Sequence, residues 1–564
     1  MNPIDYTGGM KFAIMVNSMQ LQKWQAEVIK SLMNVENVSP WLIVMKESDN
    51  EKGQNIFKRL LRYPWQNILF KLYYRYFLKP DNFKAVNLLD LIPNVPVIKV
   101  IPRKKKISEY FSDEEIERIK SYEVDFIIKF GFGILKGDIL SVTPLGIWSF
   151  HHGDEQKYRG VPPCFWEIFH NDPKTAAILQ RLTEKLDGGV ILRKGLFKTI
   201  DHSWKANLDQ AIYLSTDWPA DVCREIIAQG TFPDQTEGVS TTAPVYKIPG
   251  NTTFVIFLLK LLANKISFHY NELFSCEIWQ AGIIKARTAD ILSGLQYEID
   301  LEEVDCLRAK NNDFYIADGF AIRDSDRLLL MYEDYTYNSR KGHISGIWFN
   351  ERDYSFTQPF KLLEETWHLS YPFILRYKGE ILVMPECKDH KKVELYRFDI
   401  NSLKLVPYMT LLDDIEAVDP TLIFHQNHWY LFFTSGRASN VELNIWHAEN
   451  LEDQFMPHVL NPVKSNIGNS RPAGSFFYLD GKLYRPSQDC SRSYGGRIII
   501  NEVKILNEDS FLEMAVNVLE PPKGFLGLHN LSFAGDSMMF DVKRMGFSRA
   551  NFFYQLKRKA RLIK

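Results

Sequence analysis

From Ser141 to Gly160 the chain reads "SVTPLGIWSFHHGDEQKYRG". An apolar run feeds directly into two adjacent histidines and then a polar loop, as a strand does when it delivers side chains to the edge of a sheet. Upstream, "KFAIMVNS" is a buried strand, "LQKWQAEVIKSLMN" has apolar residues at helical spacing, and "WLIVMKE" is a second strand. "VPVIKVIP" follows, then a helix opened by a capping box between Ser112 and Glu115, then "VDFIIKFGFGIL". Strands alternating with helices predict a parallel, doubly wound sheet of the Rossmann type. Ligands of such sheets bind beyond the carboxyl ends of the strands, which puts "FGFG" (Phe130 to Gly133) and "SFHHGD" where chemistry occurs.

With 564 residues the chain is too long for one ordinary domain. It is 45% hydrophobic, 24% charged and 13% aromatic, and its net charge of −1 argues against nucleic acid as a partner. Its six cysteines are scattered, with no CxxC pair, so neither a disulfide framework nor a metal site is expected. The N-terminus shows no basic n-region followed by an apolar h-region, and the apolar run "FVIFLLKLLAN" (Phe254 to Asn264) is about half a membrane span. A cytoplasmic location is the expectation. The tail "KRMGFSRANFFYQLKRKARLIK" interleaves basic and aromatic residues, a composition suited either to a solvated helix packed on the body or to peripheral contact with the inner face of a membrane.

After Trp279 the pattern changes to short strands and turns. "DFYIADGFAIRDSDRLLLMYEDY", "HLSYPFILRYKGEILVMPEC", "AVDPTLIFHQNHWYLFFTSG" and "SRPAGSFFYLDGKLYRPSQDC" are copies of one unit: a small or acidic residue with Pro or Gly, a strand, a turn, a second strand. A fifth copy surrounds "GFLGLHNLSFAGDSMMFDV". Repeats about 50 residues apart, each with a strand pair, predict a five-bladed β-propeller, its ring closed by "WQAGIIKA". The expected organisation is thus a multidomain α/β plus all-β chain. It has an α/β domain over residues 1–200, a helical bridge over 201–275, the propeller over 276–545 and a basic amphipathic tail over 546–564.

The stretch from Ser141 to Leu192, taken with "VDFIIKFGFGIL" upstream, resembles the formyltransferase family, which includes methionyl-tRNA and sugar N-formyltransferases, and the resemblance covers roughly Lys11 to Phe197. The likeness rests on His151 at the end of a strand, on Tyr158-Arg159-Gly160, on an apolar helix, and on the turn Leu186-Asp187-Gly188-Gly189, in that order. It implies that His151 shuttles the proton of an attacking amine and that Asp187 orients it. It also implies a donor, N10-formyltetrahydrofolate, touched by backbone groups near Phe132, Gly133 and Leu135. The family's asparagine is replaced by Ser149, whose shorter hydroxyl must approach the oxyanion more closely or be helped by another donor, for which His152 is placed. The family's apolar loop before Tyr-Arg-Gly is here "HGDEQK", in which Asp154 and Glu155 are suited to hold a cationic amine. With Tyr158 and Arg159 these are candidate acceptor contacts.

The repeats resemble the N-terminal module of plant glucosamine inositolphosphorylceramide transferases and, more distantly, five-bladed arabinanase and invertase propellers. "YPFIL…MPE", "VDPTL" and "RPAG…YRPSQDCS" carry the likeness. It implies a central funnel lined by Asp318, Glu386 and Asp419 with Arg471, Gln488, Asp489 and His529. Such carboxylates either act on a glycosidic bond or cap turns by accepting backbone amides. The two halves together lead to an acyltransferase, most simply an N-formyltransferase acting on an amino sugar or glycan precursor of a surface polysaccharide. The alternatives are a carbohydrate-active enzyme or a glycan-binding scaffold centred on the propeller.

Overall fold

The computed structural model describes residues 9–47, 65–185, 188–230, 232, 241–292, 305–307, 309 and 311–561. The chain divides into two compact units, Met1–Lys265 and Ile266–Lys564.

The first unit is built on a seven-stranded sheet of β1 (Met10–Val16), β2 (Val38–Lys46), β3 (Val97–Val100), β4 (Phe126–Lys129), β5 (Ile147–His151), β6 (Lys174–Arg181) and β7 (Val190–Lys198). Their spatial order is β7-β6-β5-β4-β1-β2-β3. The five strands from β5 to β3 run parallel, while β6 and β7 are antiparallel additions beside β5. The parallel strands are continuous apolar runs because both faces are covered. Phe12, Ile14, Phe126, Ile128 and Trp148 are fully buried, and Phe126 stacks on Trp148 at 4.0 Å. The helix Asp113–Lys120 opens with the Ser112–Glu115 capping box. His151 is the last residue of β5, the place where a doubly wound sheet offers ligands its strand ends.

Helices Trp204–Tyr213 and Trp218–Gln229 follow the sheet. The buried Asn207 amide ties the first of them to Thr175 of β6 and to the Cys164 carbonyl. The next helix, Asn251–Phe274, is longer than the apolar run in the sequence indicates: it has 24 residues and is long and apolar enough, by length and composition, to cross a membrane. The extension follows from "KISFHYNELF", which contains neither Gly nor Pro to stop a helix.

The second unit consists of five antiparallel sheets among the described residues. One joins Cys276–Lys285 to Ser537–Gly546, so that the first long strand of the unit pairs with its last, alongside Gly527–Ala534. The other four are consecutive in sequence and begin at Phe314, Ser370, Ala417 and Phe477. Four first strands break register at the same place: between Ala317 and Phe320, Ser370 and Phe373, Val418 and Thr421, and Leu528 and Leu531. The residues inside these bulges are Asp318-Gly319, Tyr371-Pro372, Asp419-Pro420 and His529-Asn530. Proline has no N–H for the ladder, and Asp318, Tyr371 and Asp419 have positive φ. The sequence repeat is therefore the imprint of a repeated bulge.

The tail forms the helix Arg549–Lys559, N-capped by Ser548. Phe552 packs against Phe274, and Lys559 and Arg558 pair with Glu272.

Candidate functional site

Two groups of side chains meet the chemical requirements, one in each unit. In the first unit β5 carries Ser149 and His151 toward its carboxyl end. Ser149 is buried. The His151 ring, half-buried, lies 3.3 Å from the Tyr158 carbonyl through Nε2. Gly153 makes this approach possible: a Cβ there would stand 2.8 Å from the Tyr158 oxygen and 3.0 Å from His151 Nε2. His152 turns the other way, its ring edge-on to Trp24 at 5.6 Å and parallel to Phe150 at 6.0 Å. Burial, with the neighbouring His151, pushes its pKa down to about 3, so it is neutral, and its buried Nε2 has no hydrogen-bond partner. Asp187 lies outside the described residues, so the His151–Asp187 pair is not placed.

Tyr158 donates from its hydroxyl to Asp172 at 3.2 Å, and Arg159 reaches the Ala243 carbonyl at 3.2 Å. Gly160 has φ +94, and a Cβ there would fall 2.2 Å from the Tyr246 oxygen. The Tyr-Arg-Gly motif thus ends in glycine because a parallel strand, Val245–Tyr246, passes too close for any side chain. Asp154 and Glu155 converge as anticipated, but on a lysine of the protein: Lys194 of β7 lies 2.9 Å from each. Burial works against the Lys194 ammonium, but the bonds to Glu155 and Asp154 outweigh it and raise its pKa. An acceptor amine at these carboxylates would share them with Lys194.

At the turn after β4 the Phe132 N–H donates to Asn17 at 2.7 Å and the Gly133 N–H to Glu109 at 2.9 Å, while Glu109 also pairs with Lys46. The Leu135 side chain is in the core. Both loop amides are already engaged within the protein, and no step below runs through folate.

The sequence reading missed Glu167. It lies in the helix Trp166–His170, only 1% exposed, with Oε1 unbonded. Burial, reinforced by Asp172 and Asp154, pushes its pKa up to about 8, so a carboxylic acid close to Tyr158 is neutral at pH 7. A carboxyl whose folded pKa exceeds its unfolded value stabilises the fold below the unfolded pKa, and that contribution disappears as pH rises through the folded one. The melting temperature of the wild type should therefore fall between pH 5 and 8, and Glu167→Gln should flatten that fall. The difference reaches on the order of a few kcal/mol, and thermal unfolding of both proteins across the range measures it.

In the second unit the bulges aim their residues at one another. Asp541 accepts from the Asp318, His529 and Asn530 amides, Asp318 accepts from the Tyr371 amide at 3.3 Å, and Glu386 accepts from the Asp419 amide at 2.9 Å. His529 lies between two carboxylates, Nδ1 at 2.7 Å from Asp541 and Nε2 at 3.4 Å from Asp318. Trp279 stacks on its ring at 3.8 Å. Asp419 receives Arg471 through Nε at 2.6 Å and Nη2 at 3.2 Å, and Gln488 at 2.9 Å. Arg471 also donates to Tyr494 and Asn440. Asp489 is bonded instead to Arg497 and to the Ser491 amide.

Asp318, Glu386, Asp419, Asp541 and Glu333 are all buried, alongside His529 and Arg471. Burial raises Asp318, Asp419, Glu386 and Glu333, while Arg471 and His529 restrain Asp419 and Asp318. The two carboxylates on either side of His529 raise its pKa despite burial. Asp318, His529 and Asp541 bring ligand atoms within 4.8 Å, as do His428, His447 and Glu508. Asp541, Glu333, Tyr494 and Trp279 escaped the sequence reading. The available signal was a charged residue inside an apolar strand, "MMFDV" for Asp541 and "LLLMYED" for Glu333.

Residues 304–526 match the family model described as glucosamine inositolphosphorylceramide transferase 1, N-terminal. A glucosamine inositolphosphorylceramide transferase 1 of Oryza sativa subsp. japonica is 33% identical over 213 residues, covering 36% of this chain and 28% of the relative. A methionyl-tRNA formyltransferase of Synechococcus sp. (strain WH7803) is 34% identical over 77 residues, 14% of this chain and 23% of the relative. The chain thus spans less than a third of the length of either curated relative. Among solved structures, the family 117 glycoside hydrolase Zg3597 of Zobellia galactanivorans aligns with 49% of this chain and 92% of its own at 13% identity and TM-score 0.31. The sequence relatives are transferases by name.

Proposed function

We propose that the chain is a glycan-modifying transferase in which the first unit acylates an amine and the second holds the sugar that carries it. The five sheets act as the blades of a five-bladed propeller whose centre is the Asp318–Asp419 group. The observation that carries the reading is the placement of His151 at the carboxyl end of a parallel strand, against the Tyr158 carbonyl of the Tyr-Arg-Gly motif. In the transfer, the amine nitrogen attacks the acyl carbon, the bond from that carbon to the donor breaks, and His151 accepts the amine proton. The acyl group is formyl, from the motif resemblance, and the acceptor is an amino sugar of a surface-glycan precursor in the cytoplasm. Asp187 is the proposed orienting carboxylate and Ser149 the proposed oxyanion donor.

Titration of the protein with amino-sugar glycans tests the acceptor half of this reading. Saturable binding that Asp318→Asn weakens at least ~10-fold, equivalent to about 1.4 kcal/mol, is expected. Equal binding by both proteins contradicts it. A second reading, glycosidic or glycosyl-transfer chemistry in the second unit itself, is favoured by one observation: buried carboxyls of raised pKa close to a histidine, also of raised pKa, and an arginine.

A further inference from the structure

The helix Asn251–Phe274 is an unusual element for a soluble surface. Across its first turns one side is fixed to the first unit: Phe254 and Phe257 are buried against Phe165 and Trp204, and Lys260 and Asn264 donate to the Phe169 and Asp201 carbonyls. These anchors hold this part of the helix along the first unit. The other side is apolar and open, with Val255, Ile256, Leu259 at 63% and Leu262 at 56% exposure.

A second helix, Ile68–Tyr76, meets the first through Phe70 and Tyr73 against Phe254. It too exposes apolar side chains, Leu69, Leu72 and Tyr76, and the next residue, Phe77, is 73% exposed. Between the second helix and the Val161–Pro163 segment lies an apolar cleft of about 330 Å³ lined by Phe70, Tyr74, Val161, Pro162 and Ile248. Its wall continues directly from Gly160 of the Tyr-Arg-Gly motif.

Exposed apolar side chains on two touching helices mark an interaction site, and the charge pattern selects the partner. From Trp65 to Pro80 and from Asn251 to Lys265 the sequence contains no acidic residue, but besides the anchoring Lys260 it does contain Lys71, Arg75, Lys79 and Lys265. A second copy of the same face would set these cations against one another. An anionic bilayer accepts both features, the apolar side chains at the headgroup boundary and the lysines and arginines among the phosphates. We infer that this face seats the first unit on an anionic membrane surface and that the cleft takes a lipid chain. The inference depends on neither acyl transfer nor glycan binding.

The test is co-sedimentation of the full chain with phosphatidylcholine vesicles and with vesicles containing roughly a third phosphatidylglycerol. The expected result is binding to the anionic vesicles, reduced by added salt, and at least ~10-fold weaker for Leu259→Asp/Leu262→Asp, two exposed positions whose substitution leaves the core intact. Failure of the wild type to sediment with anionic vesicles overturns the inference, and so does undiminished binding by the double variant, which would move the contact to another surface such as the tail. Light scattering adds a third decisive outcome: a dimer that the double variant dissociates, without vesicle binding, assigns the face to a second copy.

Discussion

Replacing His151 with alanine should lower the rate of acyl transfer by ~10²–10⁴, the range in which a positioned general base contributes. The melting temperature should scarcely change. The ring is half-buried, and its hydrogen-bond contact with the Tyr158 carbonyl is long, at 3.3 Å. Such a contact contributes about 0.5–1.5 kcal/mol at most. The neighbouring His152 cannot take over, because burial holds it neutral in the ring pocket of Trp24 and Phe150. A rate loss with unchanged unfolding, measured on the same preparations, separates chemistry from folding.

The largest stability effect belongs to Arg471→Ala. The guanidinium is all but buried and makes two bonds to Asp419 besides those to Tyr494 and Asn440. Removing one partner of a buried pair leaves the other charge without compensation and costs about 3–5 kcal/mol. The sign of the pH dependence follows from Asp419. Burial already raises its pKa, and Arg471 restrains that rise. Without the arginine the carboxyl takes up its proton at higher pH, so the variant loses less stability at pH 5 than at pH 7. Chemical denaturation at the two pH values reads this directly. The double variant Arg471→Met/Asp419→Asn should cost less at pH 7 than Arg471→Ala, since no isolated charge remains.

The alternation of strands and helices in the first unit was legible because buried parallel strands are apolar throughout and helices keep their own period. "VDFIIK" and "LGIWSF" could hardly be read otherwise. The repeats of the second unit were legible for a different reason. Asp-Gly, Tyr-Pro and Asp-Pro mark the bulges of three of the five sheets, and Pro and Gly are conspicuous inside apolar strands. Partners distant in the chain were not legible. Nothing near Asp154 or Glu155 announces Lys194, which arrives from an antiparallel strand some forty residues later. Glu167 reads as an ordinary residue of a helix's first turn, and only packing reveals a carboxyl sealed from water. Asp541 is similar: its role in accepting three amides depends on how separate bulges meet. The length of the helix Asn251–Phe274 was underestimated because the apolar run ends before the helix does.

These features leave the two candidate sites with different chemistry. The first unit presents a half-buried histidine at a strand end, suited to an incoming amine. The second presents a buried network of carboxyls, a histidine and an arginine whose carboxyls accept backbone amides and so brace its bulges.

Mass spectrometry of products formed from amino-sugar glycans, with N10-formyltetrahydrofolate and acyl-coenzyme A supplied as alternative donors, tests the account most directly. The account predicts a glycan acylated on its amine by the wild type and by neither donor with His151→Ala. Glycan turnover without amine acylation, unaffected by His151→Ala and abolished by Asp318→Asn, would contradict it and place the chemistry in the second unit.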